Sequence, residues 1–332
     1  MARTHFLLAA LGALALQGAA LSSAMAQPSA KPVRAVVWKV VETVDLAVFN
    51  KDLVAGKPTM DVVVYMPSNF DPTFKKISVP QMLDGIRAAK EIYRPTGVQI
   101  NLVAVKTGVI DPRFLAIQAN EIPRVPETEY LNMYESNTRH PSELTDMARS
   151  AFQSIIEPRK DGDRTIYLVG LQDVVMPFLE QNDARNWTVR MVRTGGLSFP
   201  SYSYYGTIPR AYRGVITLDN LSTPSRARRT VAHEIGHKVM NVSHEYKTTH
   251  PGFEVYADGG LMLYGDGEDI PSGAAGRWHL ERLLLSPYLY RLRADGSKQW
   301  NPDYKEGGHY YDPIYGDKVV HFPSQSKVDP NW

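Results

Sequence analysis

The sequence predicts an α+β fold organised on a partly parallel sheet, and three stretches carry that prediction. Residues 61–105 alternate between a short apolar strand, a helix and a second strand, with connections short enough for a crossover unit with parallel strands. Two further buried-strand patterns follow at residues 165–170 and 214–218. The second of them leads at once into a helix that begins at Thr223-Pro224 and carries His233-Glu234-Ile235-Gly236-His237.

At the N-terminus, Arg3 and His5 precede an apolar run from Phe6 to Leu21, and Ala24 and Ala26 then form an A-x-A cleavage pattern. The run is short and rich in Ala and Gly for a membrane span, so residues 1–26 are expected to be a secretory signal peptide, and the mature chain to begin near Gln27 in a secreted or periplasmic setting. Residues 27–60 are expected to form an N-terminal extension, a propeptide or the first strands, with a Val-rich segment at 33–48. The strand Asp61-Val62-Val63-Val64-Tyr65-Met66 ends at Pro67-Ser68-Asn69. Met82, Leu83, Ile86, Ala89 and Ile92 recur at helical spacing, predicting a helix over 79–93 that Pro95-Thr96-Gly97 ends. A strand follows at 98–105, and a further helix is expected from Ser142 to Ile156.

Residues 171–213 read as a long aromatic-rich connection, and the tyrosines at 202, 204 and 205 are candidates to line a cleft. In the next helix Thr223 is an N-cap hydroxyl with Pro at the first helical position, and Asn241 can end it because Asn tolerates the left-handed conformation. Gly259-Gly260-Leu261-Met262-Leu263-Tyr264 is a tight apolar turn, and a last helix is expected from about Ala274 to Tyr290. The domain reading is thus a catalytic domain over 61–294 and a C-terminal tail over 295–332.

Composition narrows the chemistry. The chain of 332 residues has no Cys, so disulfides are excluded and a metal can be held only by His and carboxylates. The formal charge is +2 and falls to about +1 without Arg3, which gives no electrostatic footprint for nucleic acid or an anionic membrane. After signal cleavage no apolar run approaches a membrane span.

His233 and His237 lie four apart, which on a helix stacks both imidazoles on one face, where they can bind one Zn²⁺. Glu234 beside the first His can hold a water and take its proton as general base. A catalytic zinc also needs a third protein ligand and an open site for water. Glu254 and Asp258 form an E-x-x-x-D pattern, the gluzincin way of supplying a ligand and an Asp that orients a His. His250 before Pro251 is a weaker ligand candidate that reads as a loop residue, Arg226, Arg228 and Arg229 read as a solvated helix face, and 265–269 as an acidic turn or a calcium loop without EF-hand spacing.

The stretch 233–244 also resembles the metzincin metallopeptidases, whose helix continues as H-E-x-x-H-x-x-G-x-x-H. Here Met240 stands at the Gly position and Ser243 at the third His position, while Asn241 and His244 keep the same three-residue step displaced by one. Leu261-Met262-Leu263-Tyr264 is similar to the Met-turn of that family. The resemblance implies a metzincin-like (zincin) fold: a twisted mixed sheet with backing helices, an active-site helix, a Met-turn and a C-terminal helix. It implies His244 as third ligand and Tyr264 as an oxyanion donor. The extra residue turns the helix exit by ~100°, so the chain after it must compensate. The expected activity is zinc-dependent hydrolysis of peptide bonds in a protein or peptide substrate; the alternatives are a gluzincin-like peptidase using Glu254 or an inactive metal-containing peptide-binding protein.

Overall fold

The computed structural model describes residues 36–125, 138–139, 141, 143–183, 186–200, 208–241, 260–262, 269–270, 279–280 and 282–302. By its internal contacts the chain divides into Met1–Val33, which lies outside the described residues, and a unit Arg34–Trp332. The architecture is mixed α+β with a mixed sheet, as the alternation of strand and helix predicted. Among the described residues no helix is long and apolar enough to cross a membrane.

The segment after Arg34 forms a two-residue strand β1 (Lys39–Val40) and a single helical turn α1 (Leu46–Phe49), so only part of the Val-rich stretch is extended. β2 (Thr59–Pro67) is buried at every position, because it is covered on both faces. Val62, Val64 and Met66 enter one core, and Val63 and Tyr65 enter the other. α2 (Val79–Tyr93) starts where the Ser78 hydroxyl accepts from the Gln81 amide, and it buries all five residues of its predicted face. Gly97 then adopts the left-handed conformation and turns the chain into β3 (Gln99–Gly108). β3 runs parallel to β2, completing the crossover unit.

β4 (Ala116–Gln118) and β5 (Thr138–Arg139) precede α3 (Asp146–Ile155). That helix starts four residues later than the sequence suggested. Leu144 is bridged to Asn120 and the Thr145 amide donates to Ala119, which keeps the chain extended until the Thr145 hydroxyl caps Ala148. β6 (Ile166–Gly170) joins β2 in parallel.

The first part of the stretch read as a long connection instead holds three strands, β7 (Asp173–Gln181), β8 (Trp187–Arg193) and β9 (Gly196–Ser198). Pro177 hides β7 in the sequence, since proline normally marks an edge. Here β4 pairs with 173–175 and β5 with 179–180, so Pro177 falls between them where no partner needs its missing N–H. β8 pairs antiparallel with β7 and returns the chain to β9. β10 (Val215–Leu218) pairs parallel with β6 and antiparallel with β9, giving the main-sheet order β1-β3-β2-β6-β10-β9.

The helix α4 (Pro224–Gly236) begins as predicted, with the Thr223 hydroxyl accepting from the Arg226 amide and Pro224 in its first turn. It packs on α2 through Gly85, where an added Cβ would lie 2.5 Å from Val231 Cγ2 and 2.9 Å from the Ala227 carbonyl. Gly85→Ala would gain helix propensity at an open site, yet here it is expected to lower stability by about 2 kcal/mol through overpacking. Urea unfolding measures this, and a variant more stable than the parent would show that the two helices can part.

The C-terminal part departs from its reading. Leu289 and Tyr290 are in a strand, not in the last helix: β11 (Leu289–Leu292) pairs with β2 and with β12 (Lys298–Trp300). Residues 298–300, expected in a tail, therefore belong to the eight-stranded sheet. Asp61 at the start of β2 is buried, and it takes hydrogen bonds from the Tyr290 hydroxyl and the Asn101 amide, both at 2.8 Å, and an ion pair from Lys298. That cluster overrides the helical spacing of the sequence by rewarding an extended β11.

Candidate metal centre

The candidate metal-binding face is the last two turns of α4, where the helix stops being amphipathic and is buried all round. His233, Glu234 and His237 are 4%, 7% and 8% exposed, burial that polar groups sustain only with partners or a function. The two imidazoles stand nearly perpendicular, and their Nε2 atoms are 3.1 Å apart. Two nitrogens of a tetrahedral zinc lie roughly 3.3 Å apart, so the pair fits one small cation.

His233 Nδ1 lies 2.8 Å from the Leu261 carbonyl, which can only accept. Nδ1 therefore carries the proton, and the Nε2 lone pair is left toward His237, the outer-sphere arrangement that orients a metal-binding His. Burial, His237 and the Arg229 guanidinium hold the His233 pKa well below its usual value, so the ring is neutral. A neutral ring is the form that binds metal.

Leu261 and Met262 belong to the turn read as a Met-turn, and both are fully buried. Met262 lies directly against the helix: a Cβ on Gly236 would fall 2.4 Å from its sulfur, 3.0 Å from Met240 Cε and 3.2 Å from the Tyr93 hydroxyl. Only a residue without a side chain lets the turn come this close between the two His. Tyr93 also donates to the Ala232 carbonyl at 2.9 Å, fixing the helix from the side of α2.

The helix does not end as a plain α-helix. His237–Asn241 form a π turn, and Asn241 has φ of 53°, the left-handed exit expected of it. A π turn holds one residue more than an α turn. Between His237 and Asn241 the chain is therefore wound wider than an α-helix.

Glu234 faces β9. A Cβ on Gly196 would be 2.7 Å from Glu234 Cγ and 3.0 Å from Oε1, so the strand lies in van der Waals contact with the Glu234 side chain. Burial raises the Glu234 pKa to about 8; the Arg229 charge, a hydrogen bond from the Ser198 amide and the Lys238 charge oppose that rise. Lys238 is itself fully buried, its amine donating to the Phe199 carbonyl, and burial next to Arg213 pushes its pKa well down. Neither β9 nor Lys238 stood out in the sequence, because strand length and burial of a single Lys leave no periodic signal.

Asp219, at the end of β10, is also buried, and it accepts from the Val174 amide at 3.1 Å. Its own amide donates to Gly195, so it fastens the base of the β7–β8 hairpin beside β9. Burial raises its pKa to about 7, with the Val174 hydrogen bond opposing and Asp173 adding. A carboxyl with a raised folded pKa stabilises in acid, and that stability is lost as pH rises from about 3.8 through about 7. Asp219→Asn keeps an acceptor for Val174 and is expected to reduce the difference in unfolding free energy between pH 4 and pH 8 by about 2 kcal/mol. Parallel pH profiles for parent and variant would refute the assignment.

Among the described residues no group of three or more potential ligands gathers at one point. His244, Glu254, Asp258, His250, Tyr264, the tyrosines at 202–205 and most of the acidic turn at 265–269 lie outside the described residues. Arg228 pairs with Asp269 at 2.9 Å, so the helix's basic face is partly neutralised. Comparison with protein-family models gave no match, and a search of curated proteins gave none.

Proposed function

We propose that this chain is a zinc-dependent endopeptidase of metzincin type, exported by its N-terminal signal peptide. The observation that carries the reading is the pair of convergent imidazoles, with Glu234 next to them and a neutral His233 whose Nδ1 is held by the Leu261 carbonyl. Glu234 favours a hydrolase over a structural metal site, since a purely structural zinc has no use for a buried carboxylate beside it.

His233, His237 and His244 would hold the metal. The π turn supports His244 over Glu254, because it carries Asn241 round to the exit that the metzincin pattern has one residue earlier. The turn of Leu261 and Met262 under the helix supports the same branch. When bound, zinc lowers the pKa of a coordinated water to ~7 and polarises a substrate carbonyl. Glu234 takes the proton at its carboxylate and returns it to the leaving amine, a general acid–base role. The Ser198 amide keeps that carboxylate aimed during the transfer. β9, the last strand of the main sheet among the described residues, offers its outer edge to an extended peptide. Tyr264 would donate to the developing oxyanion.

Metal analysis of the purified protein, followed by digestion of a denatured protein substrate, tests the reading. About one zinc per chain is expected, with cleavage abolished by a chelator and restored by zinc. Cleavage that survives complete metal removal would overturn it. Stoichiometric zinc without any cleavage would favour the metal-containing peptide-binding alternative.

A further inference from the structure

Lys238 is a fully buried amine directly after the second His, and the chemistry proposed above makes no use of it. Burying an amine is unfavourable, and an apolar side chain of similar length would fill the space without that penalty. What the amine does is specific. Its Nζ donates to the Phe199 carbonyl and lies 5.9 Å from the centroid of the Phe199 ring. Phe199 is 1% exposed and packs on Phe152, with ring centroids 5.6 Å apart, so its side chain is anchored in the core around α3. Lys238 leaves from the core on the other side, that of α2 and α4. The amine thus ties the end of β9 to the metal-binding helix across the sheet edge.

The next residue back in the strand is Ser198, whose amide donates to the Glu234 carboxylate. Helix and strand are therefore joined twice, Lys238 to Phe199 and Ser198 to Glu234, with the two helix residues four apart on one face. We propose that Lys238 is the positioning residue of this centre: by holding the Phe199 carbonyl it keeps the Ser198 amide on Glu234 and so fixes the aim of the base. It touches neither metal nor substrate. The inference rests on the peptidase reading for its kinetic consequence, but its structural arm does not depend on activity.

The test is Lys238→Met, close in size but without a donor, alongside Lys238→Arg, which keeps donors at similar reach. In the Met variant zinc content and thermal midpoint are expected to stay at the parent's level. Amide exchange at Ser198 is expected to accelerate ~10-fold, since it loses its tether. The kcat should fall at least ~10-fold with KM within about threefold, because the base is misaimed while the binding edge remains. Lys238→Arg should recover much of the exchange protection and of kcat. Unchanged exchange or unchanged kcat in the Met variant would overturn the proposal. So would a variant that fails to fold or loses activity in step with its thermal midpoint, which would make Lys238 a packing residue. A parent protein that binds zinc and cleaves nothing sinks the peptidase reading alone, and the exchange measurement then decides Lys238.

Discussion

Glu234→Gln is expected to keep its zinc and to lose cleavage by ~1,000-fold in kcat/KM, the scale of a general base. Gln has the same shape, and its amide oxygen can still accept from the Ser198 amide, so the helix and β9 should not move. What it lacks is the capacity to take a proton. The same substitution has a second readout in the metal-free protein. Burial raises the Glu234 pKa to about 8 from 4.5, so the parent carries a stability that is present in acid and is lost as pH rises through that window. Gln does not titrate. The metal-free variant should thus be more stable than the parent at pH 8 and closer to it at pH 4, a functional group kept at the expense of stability. An active Gln variant would remove Glu234 from the mechanism; a pH-independent stability difference would remove the buried carboxylate as its cause.

His237→Ala is expected to have the opposite profile, losing the metal and with it all cleavage. The clearest measurement is thermal unfolding against zinc concentration. A ligand that binds only the folded state raises stability by about 2.7 kcal/mol when present at 100 times its dissociation constant. The parent and Glu234→Gln should both show that rise. His237→Ala should not, because one of the two convergent Nε2 atoms is gone. A variant that still responds to zinc as the parent does would show that the metal sits elsewhere, and the centre at His233 and His237 would lose its role.

How much of this was legible follows from the physics of each element. The α2 face appeared as Met82, Leu83, Ile86, Ala89 and Ile92 because a helix half-buried on a sheet repeats its apolar residues at 3.6. β2, β6 and β10 showed as short, mostly apolar runs because both of their faces are covered. β8 has no such signature: most of its residues are exposed, with Arg190 and Arg193 among the apolar ones, and only pairing with β7 makes it a strand. β11 and β12 were missed for a related reason, since their ladder onto β2 and the Asp61 cluster outweigh a local helical spacing.

At the centre, the sequence by itself determined the residue types that chemistry needs: two His four apart, a Glu beside the first, the Thr223 cap and an Asn that could exit left-handed. These are local, because helical spacing and capping depend on neighbours within a turn. Tertiary structure alone decided what surrounds them. The Leu261 carbonyl on His233, Met262 against Gly236, the β9 amide on Glu234 and the buried Lys238 bring together residues far apart in the chain. No pattern within a turn encodes such contacts. The widened turn at His237–Asn241 lies between the two cases, with its left-handed Asn exit legible in the sequence and its π winding seen only in the structure.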